Sequence, residues 1–277
     1  MWTTDTDGAL RVKALASGSS ANAFLVESPQ GKVLVDAGLS ARRLSDLIRH
    51  YEVFHAPLLG ILITHEHSDH VAGADVLARQ TGAALIGTPG TLGAMRIGAK
   101  ADRQPLAAGS TRSLGPFEIH AFPTSHDAAD PVGYHISCGQ WRVGVATDLG
   151  HCTPEVLAAL RDTHLTVVEA NHDRGRLAAN RDYSTMLKQR IAGDRGHLAN
   201  EQTAALLQAL AEDDHDRWVW LAHLSRENNK PAIALAAVHR HFSLLRRALP
   251  FEVLVAERDQ PSVEWDTRSA SRQRALF

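Results

Sequence analysis

Cysteine is nearly missing from this sequence: only Cys138 and Cys152 occur in 277 residues. No disulfide framework is therefore implied, and a reduced, cytoplasmic setting is the natural expectation. Long apolar runs are also absent. None approaches the roughly 20 residues that cross a bilayer, so no membrane partner is expected. The N-terminal Met1–Asp7 has neither the basic nor the apolar region of a signal peptide. The formal net charge is only −2, so bulk electrostatics do not announce a nucleic-acid binder. Internal repeats and low-complexity linkers are missing too. One domain over residues 1–277 is expected, with its core over about 11–257 and a fraying Ser/Arg tail from 267. With 44% apolar and 22% charged residues the chain reads as an ordinary globular enzyme. The one excess is histidine, with 16 residues.

Five charged or imidazole groups crowd into Thr64-His65-Glu66-His67-Ser68-Asp69-His70. The preceding Leu58–Ile63 is an apolar run of strand length, and Val71, Ala74, Val76 and Leu77 recur at helical spacing up to Gly82. The motif thus stands where a strand ends and a helix begins. Residues two apart in extended chain point the same way, so His65 and His67 can converge on one point. Asp69 and His70, at the turn, can aim at a second. Imidazoles with a carboxylate suit zinc, and also iron, nickel or manganese.

Other strand ends repeat the theme. Lys32–Val35 reads as a strand ending at Asp36, which can orient a ligand histidine or merely close the strand. His126 follows the alternating strand Phe117–Phe122, and Asp148 follows Trp141–Thr147, where its two oxygens can bridge two cations. Glu169-Ala170-Asn171-His172-Asp173 follows Leu165–Val168, and His223-Leu224-Ser225 follows Trp218–Ala222. Ser17-Gly18-Ser19-Ser20 reads equally as a turn or as an anion cradle. Residues 174–195 carry a local excess of Arg and Lys that either tracks phosphates or is a solvated helical face. Asn200 reads as the N-cap of an Ala/Leu-rich helix, Pro231 starts the last long helix, and Phe251–Ala256 makes the final strand.

The H-x-H-x-D-H pattern resembles the metal-binding motif of the metallo-β-lactamase superfamily. Together with Ser17–Ser20, Asp36–Ser40, Pro131–Tyr134, Ala146–Gly150, Glu169–Asp173 and Ala222–Asn229, it is similar to the WalJ/YycJ-type bacterial metallo-hydrolases. The resemblance implies an α/β (α+β) fold, a four-layer αββα sandwich of two mixed sheets flanked by helices. It implies a ligand set of His65, His67 and His126 for one divalent cation, and Asp69, His70 and His223 for a second, with Asp148 bridging. The cations would be Zn²⁺ or Mn²⁺, holding a hydroxide near Asp69. His67, where redox di-iron members usually carry Glu, favours hydrolysis. Glu169 and His197 resemble the paired glutamate and histidine of the phosphodiesterase branch that includes tRNase Z, with Glu169 orienting His197 to assist the leaving oxygen. Ser17, Ser19, Asn171, His172, Ser225 and Asn228 are candidate substrate contacts. Ala21 and Ala199 depart from the usual Gly and Ser of the family.

What the resemblance implies is a cytoplasmic phosphodiesterase or DNA exonuclease with a role in DNA repair, acting on DNA rather than RNA and able to form a homodimer. Three rivals stand beside it: a small-molecule phosphodiesterase, a thioesterase of the glyoxalase II kind, and a non-enzymatic binding protein. The thioesterase does not need Glu169 and His197, and the binding protein does not need the ligands.

Overall fold

The protein is described by a computed structural model covering residues 9–96, 98, 100–212 and 216–269. The expectations for Met1–Asp7 and for the tail from 270 onward lie outside the described residues.

The chain begins with an antiparallel meander, β1 (Arg11–Ala16), β2 (Ala23–Ser28) and β3 (Gly31–Val35). Helix α1 (Ala41–Tyr51) then crosses over to β4 (Leu58–Leu62), which pairs parallel with β3. Helices α2 (Ser68–Val71) and α3 (Ala74–Thr81) lead to β5 (Ala84–Gly87), and α4 (Pro89–Ala94) leads to β6 (Arg103–Pro105). A second sheet follows: β7 (Thr111–Leu114), β8 (Phe117–Pro123), β9 (Val132–Cys138) and β10 (Trp141–Ala146) run antiparallel. After α5 (Pro154–Leu160), β11 (Leu165–Glu169) joins parallel to β10. Then come α6 (Arg174–Ala179), α7 (Thr185–Ala192), α8 (Asn200–Leu210), β12 (Trp218–Ala222), α9 (Pro231–Leu244) and β13 (Glu252–Val255). The last described strand, β14 (Glu264–Asp266), returns to the first sheet beside β1.

Among the described residues each sheet therefore has seven strands, ordered β14-β1-β2-β3-β4-β5-β6 and β13-β12-β11-β10-β9-β8-β7. Period-2 alternation decides what lies between them. Val12, Phe24 and Val33 from one sheet and Ile119, Tyr134 and Val143 from the other form a shared core. The opposite face of the first sheet, with Leu25, Leu34 and Ile61, is covered by Leu44 of α1 and Leu77 of α3. The outer face of the second, with Val168 and Leu221, is covered by α5, α8 and α9 through Leu160, Leu207 and Phe242. Helix, sheet, sheet, helix is the four-layer order that the resemblance implied.

Two local expectations need correction. The helix at 200 is not capped by Asn200. Ala199 is the N-cap, and its amide is satisfied by the Gln202 carboxamide at 2.9 Å. The Asn200 side chain instead donates to Asn229. Nor is the strand at 251–256 the last: β14 lies beyond the expected core boundary at 257. Its Trp265 is buried and meets Trp141 and Trp218 edgewise or tilted, at centroid distances of 5.6 and 5.9 Å. Three indoles from the two sheets thus close one margin of the sandwich. Trp265→Ala is expected to lower stability by about 3–5 kcal/mol in urea unfolding, the usual cost of emptying a large aromatic site.

Candidate metal centre

Charged or imidazole groups that close or follow five of the strands arrive at one edge of the two sheets. The 64–70 loop follows β4, His126 follows β8, Asp148 follows β10, Glu169 closes β11, and His223 follows β12. The sheets meet there because strands from both end on the same side, which is where open α/β sheets gather ligands.

Geometry assigns the imidazole protons. Nδ1 of His126 lies 3.0 Å from the Gly196 carbonyl and must donate to it. The Thr64 hydroxyl donates to Asp36, whose oxygens lie 2.9 and 3.0 Å away, so it accepts from Nδ1 of His65 at 3.0 Å. Both histidines are left with a lone pair on Nε2. These lone pairs face Nδ1 of His67 at 3.0 Å and 3.3 Å. Burial and the neighbouring imidazoles push the pKa of His65 well down; burial, with His197 nearby, also lowers that of His126. Three imidazole nitrogens thus converge, an arrangement that suits a divalent cation.

The neighbouring cluster has the same outer support and a different charge. His70 donates from Nδ1 to Asp36 at 2.7 Å, and His223 donates from Nδ1 to Glu169 at 2.7 Å. Their Nε2 atoms both face Oδ2 of Asp69, at 3.5 and 3.4 Å. Asp148 lies between the clusters. Its Oδ1 is 3.6 Å from Nε2 of His126, and its buried Oδ2, which has no hydrogen-bond partner, is 3.1 Å from Nε2 of His70. An orphaned carboxylate oxygen aimed at imidazole nitrogens fits a bridging ligand. Burial opposes charge on His70 and His223, but Asp36, Asp148, Asp69 and Glu169 outweigh it. The His70 pKa is driven well up and that of His223 to about 10. Despite burial, the surrounding histidines hold the Asp69 and Asp148 carboxyls well below the ordinary range.

Backbone strain marks the same edge. Asp36, Asp148 and His223 adopt left-handed φ of 60°, 58° and 54°. Such backbone costs non-glycine residues free energy and accumulates at sites that over-determine it. Gly38 serves close approach instead: a Cβ there would fall 1.8 Å from the Asp69 carbonyl oxygen. That contact packs the Asp36–Ser40 segment against the 64–70 loop.

His197 and Glu169 are brought together as expected, with Nδ1 of His197 2.9 Å from Oε1 of Glu169. Ser19, His67, Asp69, His126, Asp148, His197 and His223 line a pocket of about 210 Å³, together with Asp127, Arg190 and the apolar Leu187 and Ile191 of α7. The other expected substrate contacts do not line it. Ser17 is buried and accepts the His223 amide, and Asn171 donates to the His223 carbonyl, so both hold the strained segment at His223. Ser225 accepts the Asn228 amide, and Asn228 accepts from Asn180. His172 lines a different cleft. The basic stretch is largely tied down: Arg190 pairs with Asp127 at 2.6 Å, Arg195 donates to the His126 carbonyl, and Arg176 donates to the Glu227 carbonyl. Sequence reasoning missed Thr64 as the hydrogen-bond link between Asp36 and His65, Asn22, whose side chain is 3.1 Å from Nε2 of His70, and the Asp127–Arg190 wall. Thr64 had a signal in its place between strand and motif; the others join segments far apart in the chain.

This edge constellation is that of a metal-dependent hydrolase of the metallo-β-lactamase fold. A sequence model of the beta-lactamase superfamily domain matches residues 32–223, and the chain belongs to that superfamily. It is 36% identical over 233 residues to exodeoxyribonuclease YycJ of Bacillus anthracis, covering 83% of this chain and 88% of that protein. To exodeoxyribonuclease WalJ of Streptococcus pneumoniae it is 37% identical over 227 residues, 79% and 83% of the two chains. The fold is shared with the metallo-beta-lactamase fold protein YhfI of Bacillus subtilis (TM-score 0.69, 17% identity, 94% of this chain and 99% of that one). It is shared also with Zn²⁺-bound PqqB of Methylobacterium extorquens (TM-score 0.66, 17% identity, 92% and 99%). No helix among the described residues is long and apolar enough to cross a membrane.

The two donor clusters predict different pH behaviour. A ligand imidazole must be unprotonated, so a cation entering the Asp69/His70/His223 cluster displaces protons at pH 7, whereas burial already favours the neutral rings of His65 and His126 in the other cluster. Affinity at the former should fall about tenfold per pH unit per displaced proton as pH drops from 8 to 6. Titration calorimetry in buffers of different ionisation enthalpy reads this directly, with the larger proton release expected where a cation enters the Asp69/His70/His223 cluster.

Proposed function

We propose that the protein is a metal-dependent phosphodiesterase acting on nucleic acid, as a DNA exonuclease. His65, His67 and His126 would hold one cation and Asp69, His70 and His223 a second, with Asp148 available to both; Zn²⁺ or Mn²⁺ suits these donors. When bound, such cations lower the pKa of water toward about 7 and neutralise charge on the attacked phosphoryl group.

The observation that carries the reading is Glu169 gripping His197 beside the donor clusters. A phosphodiester leaves as an alkoxide and needs a proton; a thioester or β-lactam does not require a second oriented acid. With Nδ1 committed to Glu169, His197 presents Nε2 as its remaining proton carrier on the pocket wall. Burial disfavours its charged form, but Glu169 and Asp148 overcome that and raise its pKa, so the proton is held until the leaving oxygen takes it. Asp69, kept ionised, accepts a hydrogen bond from the attacking water. Ser19 and Arg190 remain on the wall to meet the flanking phosphate. The names of the two relatives support DNA as the polymer and an end as the point of attack.

The test is degradation of end-labelled single- and double-stranded DNA and RNA by Zn²⁺- or Mn²⁺-loaded protein. Metal-dependent shortening of DNA is expected, abolished in His67→Ala. His197→Ala should lose about 10²–10⁴-fold in kcat with its metal content intact. Metal loss from that variant would make His197 a ligand and overturn its role as acid.

A further inference from the structure

Helix α7 is a partition. Its residues 187, 190 and 191 face the metal pocket, while 185, 188, 189 and 192 face a second, larger cleft of about 640 Å³. Both sets follow helical spacing, so one helix about 10 Å thick separates the two spaces. No residue of α7 is buried, and the helix is held at its C-terminal end by the His197 amide on the Ile191 carbonyl. The cleft has the volume of a small-molecule site.

Its lining is chemically distinctive. Leu177 and Ala178 of α6 form an apolar side, Arg174 and Lys188 supply positive charge, and among the described residues no carboxylate lines it. Lys188 donates to the Ala178 carbonyl and keeps further ammonium protons for a ligand. Arg174 is only loosely engaged, 3.8 Å from an exposed Glu201. His172, 1% exposed, lines the cleft, and its Nδ1 has no hydrogen-bond partner. A buried, unpartnered imidazole nitrogen ordinarily costs stability unless a group beyond the described residues answers it. Burial pushes the His172 pKa down to about 4, leaving a neutral ring with one donor and one acceptor.

We propose that this cleft binds one nucleoside monophosphate unit. Its base lies against Leu177 and Ala178 with a polar edge at His172, and its phosphate meets Arg174 and Lys188. The ligand class rests on the nucleic-acid reading above. The unit is either part of the strand held across α7 or the mononucleotide set free by cleavage; both present the same base and phosphate. The cleft also touches the catalytic segment, because the His172 backbone pairs with Ala199, two residues from His197.

Titration calorimetry with deoxyadenosine 5′-monophosphate tests this on metal-loaded protein and on three variants. Ala192→Trp projects an indole from an exposed cleft position, His172→Leu removes the polar edge, and His67→Ala disables the metal pocket. Binding is expected to persist in His67→Ala and to weaken at least about tenfold in Ala192→Trp and in folded His172→Leu, the size of one lost base contact. Wild-type binding in Ala192→Trp, or abolished binding in His67→Ala, overturns the proposal, since the nucleotide would then occupy the metal pocket. A raised KM for single-stranded DNA in Ala192→Trp identifies a unit of the strand. An unchanged KM with weaker inhibition by the mononucleotide identifies the freed product. If wild-type protein cuts no nucleic acid while the binding pattern holds, the nuclease reading fails and the nucleotide site stands.

Discussion

Glu169 is the constraint on which the site depends. It is fully buried, and its two oxygens accept four hydrogen bonds: the Leu149 and Leu198 amides on Oε2, and the His223 and His197 imidazoles on Oε1. Such a carboxylate is tolerable inside a protein only when each lone pair is answered. Burial works against its charge, but the two histidines prevail and hold its pKa at about 2. One oxygen thereby fixes a candidate metal ligand and a candidate acid at once, and the other ties down the loops after β10 and before α8. Asp36 does the same work for the first sheet, through Thr64 and His70.

These two buried carboxylates explain why the edge can carry strain. Left-handed backbone at Asp36, Asp148 and His223 would relax if each residue had only its own side chain to position it. Here the Asp36 amide is bound by Leu62, the His223 amide by Ser17, and the His223 carbonyl by Asn171. Ser17 and Asn171, which read in the sequence as substrate contacts, are better understood as the restraints that keep His223 in place. The two spaces on either side of α7 begin where this rigid edge ends.

Much of this was legible in the sequence because the chemistry is local. His65, His67, Asp69 and His70 share one strand-to-helix turn, and the strands before Asp36, His126, Asp148, Glu169 and His223 announce themselves by apolar runs. The resemblance of the motifs supplied the order of layers and the grouping of the histidines. What stayed hidden depends on contacts between distant segments. Trp265 is recognisable as core only once β14 is seen beside β1, and three residues are too few to give a periodic signal. The N-cap at Ala199 was masked by Asn200, a better capping residue by type whose side chain is engaged elsewhere. The basic run at 174–195 gave charge without direction. Only the folded helix shows Arg190 facing one space and Lys188 the other.

The most direct measurement is metal titration and turnover of Glu169→Gln. An amide has one oxygen, so it can answer the two backbone amides or the two imidazoles, not both. The account predicts about 10–100-fold weaker binding of one cation, the usual loss when an outer hydrogen bond to a metal ligand goes, together with a fall in kcat on DNA. Unchanged affinity and unchanged turnover would contradict it, and would mean that His223 and His197 keep their places without Glu169.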